Sequence, residues 1–328
     1  MKKVIVTGAT GFIGSWVMQE LLNNGISTTV IVRDSSRLLR GYLDNPNLHI
    51  IEGELDSLSP AYVEDRDFDA FFHLAWGGVA PEDKNNMDLQ LKNISMSLTA
   101  LELASKLGCK KFIAAGTVAE YVFSKDVMDV YEKQTPNDMY GAAKVSTHYF
   151  LEVRARQLNL PFIWMVIPST FGERRTDNNI ITYTIRTLLE KKKPSYGNLT
   201  QMWDFLYVGE VARAIRLIGE KGIPGKIYGI GSGQYKPLRA FIEEIRDIID
   251  PELSLGIGER PTLSQQTFSS CVNIYDLIAD TGFIPAISFR EGIKMTIKYF
   301  GGGYRNYQKL VIFYTSAMLR TPESRCVA

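Results

Sequence analysis

Val4-Ile5-Val6-Thr7-Gly8-Ala9-Thr10-Gly11-Phe12-Ile13-Gly14 is the stretch that decides how this 328-residue chain is read. A short β-branched run, a glycine turn and the apolar face Phe12, Ile13, Trp16, Val17, Met18, Leu21, Leu22 predict strand, turn and helix in immediate succession. Gly8, Gly11 and Gly14 are spaced G-x-x-G-x-x-G, one residue longer than the G-x-G-x-x-G dinucleotide fingerprint. Gly8 permits the tight turn off the strand. Gly11 lets backbone approach a pyrophosphate without a Cβ in the way, and Gly14 lets the helix pack close to the sheet. Amide N–H groups at the helix start, at its positive dipole end, then suit a diphosphate.

Outward from that stretch the rhythm continues. Apolar segments at 28–32, 49–53, 70–75, 111–115 and 161–167 predict five more strands. Residues 93–107 carry helical spacing, closed by Gly108. Alternation of this kind predicts an α/β protein with a Rossmann-type, doubly wound parallel sheet. The almost wholly apolar strands fit burial on both faces. Residues 1–167 read as a dinucleotide-binding domain to which 203–220 returns, by way of an apolar run at 205–208. The segments 168–202 and 221–300 read as a smaller C-terminal substrate-binding α/β part, with helices at 180–191 and 237–249 and a strand at Tyr228. Residues 301–328 form a tail whose apolar stretch 310–314 reads as an appended helix or strand, set against the body or a second subunit.

Composition narrows the class. With 37 basic and 36 acidic residues mixed along the chain, net charge is +1, which offers no nucleic-acid stripe and no polybasic membrane patch. No apolar run approaches the ~20 residues of a membrane span, and the N-terminus lacks the apolar core of a signal peptide. Cys109, Cys271 and Cys326 are few, odd in number and scattered, so neither a disulfide framework nor a metal site is expected. His49 and His148 have no partner that suggests a metal. A reduced, cytoplasmic protein is the expectation.

Tyr140-Gly141-Ala142-Ala143-Lys144 is the second anchor. The preceding Thr135-Pro136-Asn137-Asp138 supplies helix-start chemistry, so Tyr140 and Lys144 fall one turn apart on one face. An unperturbed phenol titrates near ~10, too high for proton transfer at neutral pH. A neighbouring ammonium is expected to lower that value and make the phenol a general acid/base. Thr117 closes Ala114-Ala115-Gly116-Thr117 at the C-terminal end of a strand, where open parallel sheets bind ligands. Its hydroxyl is placed to donate to a substrate oxygen.

Together these residues resemble an extended short-chain dehydrogenase/reductase of the NAD(P)-dependent epimerase/dehydratase family acting on nucleotide sugars. The likeness runs from Met1 to about Phe300. It includes the glycine loop, Glu54-Leu55 where the family often has Asp-Leu near the adenine, His73-Leu74-Ala75, Asn93, Thr117, Tyr140 with Lys144, and Gln201-Met202-Trp203-Asp204-Phe205. It also includes Asp280-Thr281-Gly282-Phe283-Ile284-Pro285 with Phe289-Arg290-Glu291-Gly292. The resemblance implies that Tyr140 donates and accepts the proton, that Lys144 holds the nicotinamide ribose, and that Thr117 replaces the usual serine. Hydride then moves between nicotinamide and a sugar carbon, most often C4. It also implies cofactor contacts from Gly8, Thr10, Gly11, Phe12, Ile13, Gly14, Glu54, Leu55, Leu74, Ala75, Trp76, Asn93 and Pro168. His73 is implied to be structural. A homodimer through a four-helix contact that includes the Tyr140 helix is expected.

Within the family, 4,6-dehydratases typically carry Asp-Glu directly after the threonine. Here Val118-Ala119 follow, and Glu120, one residue too far along, reads as a solvated carboxylate. After the second strand come Arg33, Asp34 and Arg37. An acidic residue there favours NAD, whereas arginine accommodates the 2′-phosphate of NADP. NADP(H) is therefore favoured, with NAD(H) through Asp34 as the other possibility. The leading expectation is NADPH-dependent reduction of the 4-keto group of a nucleotide-activated 4-keto-6-deoxyhexose. The first alternative is an NAD-dependent nucleotide-sugar 4-epimerase, and the second a non-catalytic cofactor-binding regulator. Trp203 stands where many members place a diphosphate-binding arginine, and Ser169 where an asparagine is common. Substrate contacts are expected from Thr117, Ser169, Asn179, Trp203 and Arg260, with Arg174 or Arg175 as further phosphate candidates.

Overall fold

The computed structural model describes residues 1–122, 127–261 and 271–302; the apolar stretch 310–314 and Cys326 lie outside them. In chain order the elements are β1 (Lys3–Thr7), α1 (Phe12–Asn23), β2 (Ser27–Val32), β3 (Leu48–Glu52), β4 (Ala70–His73), α2 (Met87–Lys106), β5 (Phe112–Thr117), β6 (Val127–Met128), α3 (Met139–Gln157) and β7 (Phe162–Ile167). There follow β8 (Ser169–Phe171), α4 (Ile180–Leu189), β9 (Met202–Trp203), β10 (Phe205–Tyr207), α5 (Val208–Lys221), β11 (Ile227–Gly229), β12 (Lys236–Pro237), α6 (Leu238–Ile249), β13 (Cys271–Val272), α7 (Tyr275–Thr281) and α8 (Phe289–Phe300).

Seven of the strands form one parallel sheet in the order β11-β7-β5-β4-β1-β2-β3. Val4, Ile5 and Val6 are fully buried because β1 sits inside the sheet between β2 and β4 and is covered by helices. From β1 the chain first builds outward to β3, then crosses back to β4 and builds the other way. That reversal opens a crevice at the carboxyl ends of β1 and β4, the ligand site of such sheets. The glycine turn leaves β1 there, and Thr117 ends β5 on the same edge. Helix α1 packs on α5 and α2 on α3; Arg216 of α5 reaches Glu20 of α1 at 2.8 Å.

The smaller C-terminal region holds together around aromatic rings. Phe241 meets Phe205 and Phe289 edge-on, with centroids 5.0 and 4.7 Å apart, and Phe171 lies 5.0 Å from Phe289. Each such pair contributes about 0.5–1.5 kcal/mol beyond its burial.

Three local readings shift. Helix α2 begins at Met87, not 93, because the Asn86 side chain accepts from Leu89 N at 3.1 Å and caps it. Strand β3 lies at the sheet edge with His49 and Ile50 exposed, so burial on both faces does not extend to it. The 205–208 run does not rejoin the large sheet. It forms β10, which pairs with β8 in a separate ladder, and only the following helix α5 returns to pack on α1.

Candidate active site

The glycine turn forms a cradle closed to side chains. Gly8 has φ +80°, and a Cβ there would lie 2.7 Å from Ala75 N. One on Gly14 would lie 2.0 Å from the Gly8 carbonyl oxygen, so the helix meets the turn through backbone alone. Gly11 caps α1 without a side-chain hydrogen bond, and the first turn carries no acidic residue. Those amides suit an anion, and the loop fits the diphosphate of a dinucleotide. Thr10, Phe12 and Ile13 line its half-buried mouth. Leu74 N donates to Thr7 O at 3.2 Å, which sets Leu74 and Ala75 beside the loop. Asn93 is committed to the Gly77 backbone, accepting from its N–H and donating to its carbonyl at 2.9 Å each, and so fixes the loop after β4.

At the end of β2 the Asp34 carboxylate accepts from Ser36 N at 3.0 Å and Ser36 Oγ at 2.6 Å. Those bonds hold its carboxyl below the usual carboxylate range. Arg33 and Arg37 are exposed and make no ion pair among the described residues. Glu54 is exposed on the far side of this edge, with Leu55 buried beneath it. Pro168 follows β7, and its carbonyl accepts from the Thr170 hydroxyl at 3.1 Å.

Asp138 caps α3 by accepting from Gly141 N at 2.7 Å, which places Tyr140 and Lys144 on its first two turns. The Thr117 side chain lies beside the Tyr140 phenol and favours its ionised form. Lys144 Nζ donates to the Ala115 carbonyl at 2.6 Å and lies 3.7 Å from the centre of the Trp76 ring. Trp76 also meets Tyr140 edge-on at 6.1 Å. The expected acidic phenol is not what this arrangement produces. Burial pushes Tyr140 up to about 12, only partly opposed by Thr117. The ammonium is turned toward the strand carbonyl, and burial lowers its own pKa. His73 bridges Thr7 Oγ1 at 2.9 Å and Ser97 Oγ at 3.0 Å; burial, then the Lys144 charge, hold it down to about 3. It is a neutral structural tie.

Glu120 is not solvated. It is fully buried in the 3-10 turn after β5, accepting from Thr117 N at 2.7 Å and Trp164 Nε1 at 3.2 Å. Thr117 and Glu120 form a reciprocal capping box, whose sequence signal is T-x-x-E. Thr117-Val118-Ala119-Glu120 carries that signal, and it marks Glu120 as a capping residue rather than a solvated one.

The substrate-side residues are less convergent. Asn179 spends its side-chain oxygen capping α4, on Ile181 N and Thr182 N at 2.9 and 3.3 Å. Trp203 packs on Phe205 with its indole nitrogen buried and without a hydrogen-bond partner among the described residues. Ser169 begins β8, beside Phe205. Arg260 is exposed, donating to Tyr183 Oη at 3.1 Å. Arg174 lies over Trp16 and on Gln19, and Arg175 on Asp177 and the Thr170 carbonyl, so both are engaged within the fold. No helix among the described residues is long and apolar enough to cross a membrane, and no group of three His, Cys, Asp or Glu there is arranged to hold a metal.

Known proteins resemble the chain over nearly its whole length. It is 24% identical to dTDP-glucose 4,6-dehydratase of Escherichia coli, over 94% of this chain and 96% of that protein. Human dTDP-D-glucose 4,6-dehydratase is 23% identical over 94% and 93%. Among solved structures, UDP-N-acetylglucosamine 4-epimerase from Methanobrevibacter ruminantium, in complex with UDP-N-acetylmuramic acid, superposes with TM-score 0.81 at 25% identity, covering 91% of this chain and 98% of that one. UDP-glucuronic acid 4-epimerase from Bacillus cereus, in complex with NAD, shares the fold at TM-score 0.79 and 20% identity, covering 92% and 99%. The model of the NAD dependent epimerase/dehydratase family matches residues 4–231. With its parallel sheet, its glycine cradle and the Thr117, Tyr140, Lys144 set, this chain belongs to the NAD-dependent epimerase/dehydratase family of enzymes.

Proposed function

We propose that the chain reduces the 4-keto group of a nucleotide-activated 4-keto-6-deoxyhexose with NADPH. The observation that carries this reading is at the end of β2. Asp34 is folded onto Ser36, and Arg33 and Arg37 are exposed with no ion pair among the described residues, a basic edge suited to a 2′-phosphate. An enzyme that consumes NADPH performs a net reduction, whereas an epimerase returns the hydride to its product. Glu120 supports the choice against dehydration, since its carboxylate is committed to two internal donors and Val118-Ala119 offer no acid in its place.

NADPH, when bound, supplies the hydride. Tyr140 delivers the proton to the developing C4 alkoxide, and Thr117 holds both the phenol and the sugar oxygen. Lys144 holds the nicotinamide ribose, and Trp76 screens the ammonium from water. Ser169, Asn179, Trp203 and Arg260 are assigned to the nucleotide-sugar side; with Trp203 in place of an arginine, Arg260 is the phosphate contact we favour. A homodimer through α2 and α3 completes the reading.

The second reading, a nucleotide-sugar 4-epimerase that retains NAD, is favoured by the likeness to the UDP-N-acetylglucosamine 4-epimerase. Supplying NADPH with a 4-keto-6-deoxyhexose nucleotide separates the two. Stoichiometric loss of the NADPH absorbance is expected. Interconversion of two C4 epimers without added cofactor overturns the reductase.

A further inference from the structure

The loop between β4 and α2 carries a tryptophan over the Lys144 ammonium. Lys144 Nζ lies 3.7 Å from the centre of the Trp76 ring, and at that distance a cation sits above the face of an indole, not at its edge. The same ring meets Tyr140 edge-on, with centroids 6.1 Å apart and planes 78° apart. The indole is fixed from behind. Its Nε1–H donates to Gln90 Oε1 at 3.0 Å, and the fully buried Gln90 amide donates in turn to the Gly78 and Asp83 carbonyls at 2.9 and 3.2 Å. Those two acceptors leave the amide a single orientation, so Gln90 turns its oxygen to the indole. The loop is docked on α3 as well, since Met139 N donates to Asn85 Oδ1 at 3.1 Å.

We propose that Trp76 is a positioning residue, whose ring face holds the Lys144 ammonium in place for the ribose of the dinucleotide. This rests on the role proposed for Lys144, and its test needs no sugar substrate. An ammonium carries three donors. One goes to the Ala115 carbonyl at 2.6 Å, and the face of Trp76 takes a second direction, which leaves the third for a ribose hydroxyl. Lysine is a point charge on a flexible stem, so it takes one geometry only where fixed neighbours impose it. Here the strand carbonyl and the backed indole are those neighbours. Lys144 is 5% exposed, and a ring over a desolvated cation contributes more than one at a wet surface.

The experiment is a double-mutant cycle on the full-length protein, with NADPH and NADH affinities read by isothermal titration. Mono-, di- and trifluorinated tryptophans placed at position 76 alone keep the shape of the indole, so the fold is retained, and draw electron density from its face. With Lys144 present, affinity for both dinucleotides is expected to fall with each added fluorine, by about threefold over the series, because fewer molecules hold the lysine ready. In Lys144→Met the same series is expected to change nothing. ADP-ribose, which keeps the ribose and lacks the nicotinamide, is expected to repeat the pattern, and so separates this contact from stacking of Trp76 on the nicotinamide. Affinity that is unchanged or raised along the series, a fall as large in Lys144→Met, or a fall that ADP-ribose does not share overturns the proposal. Equal affinity for NADPH and NADH in the native protein tells against the cofactor proposed above and leaves the cycle readable.

Discussion

Tyr140 and Lys144 stand one turn apart on α3, yet the Lys144 ammonium donates to the Ala115 carbonyl at 2.6 Å, while the phenol lies beside the Thr117 side chain. The two side chains thus address different neighbours on β5. Burial, not the ammonium, dominates the phenol, and it keeps Tyr140 protonated. A protonated phenol is the form that a ketone reduction requires, since the proton must be delivered as hydride arrives.

Replacing Tyr140 with Phe removes that proton and keeps the ring against Trp76. Turnover is expected to fall by about 10²–10⁴-fold, with dinucleotide affinity nearly unchanged in a fluorescence titration. Native turnover in the Phe variant would exclude the mechanism.

Arg33→Ala and Arg37→Ala are each expected to weaken NADPH by roughly tenfold or more, the scale of a charge-assisted hydrogen bond to phosphate. NADH binding should barely change. Isothermal titration with both dinucleotides checks this, and equal weakening of the two would point to Asp34 and NAD instead.

His73 links proton binding to stability. Its folded pKa is about 3 against an ordinary 6.5, lowered first by burial and then by Lys144. Between those values the unfolded chain binds the proton and the folded chain does not, so this contribution is complete above 6.5 and is lost as pH falls toward 3. Melting temperature is expected to drop through that window, and His73→Gln should be less stable at neutral pH but flatter across it. A His73→Gln melting curve with the native acid slope would assign the slope elsewhere.

Helices α2 and α3 pack together and leave Met87, Leu91, Tyr149, Phe150 and Val153 exposed, with Phe150 at 55%. Such a row is the face expected to meet a second copy. Sedimentation should give a dimer for the native chain and a monomer for Phe150→Glu. A native monomer at micromolar concentration rules the interface out.

What neighbours along the chain dictate was legible without coordinates. A β-branched run followed by glycines at 8, 11 and 14 admits little but a strand, a tight turn and a close-packed helix, and Asp138 starts the helix on which Tyr140 and Lys144 share a face. Period and capping act within a few residues, so they can be read along the chain. Which groups are out of water became visible only in the folded molecule. Glu120 is buried by Trp164, 44 residues away in sequence, Asn86 rather than Asn93 opens α2, and Asn93 instead clamps Gly77. Desolvation and hydrogen bonding across elements set protonation and side-chain allegiance, and both are properties of the packed interior rather than of spacing.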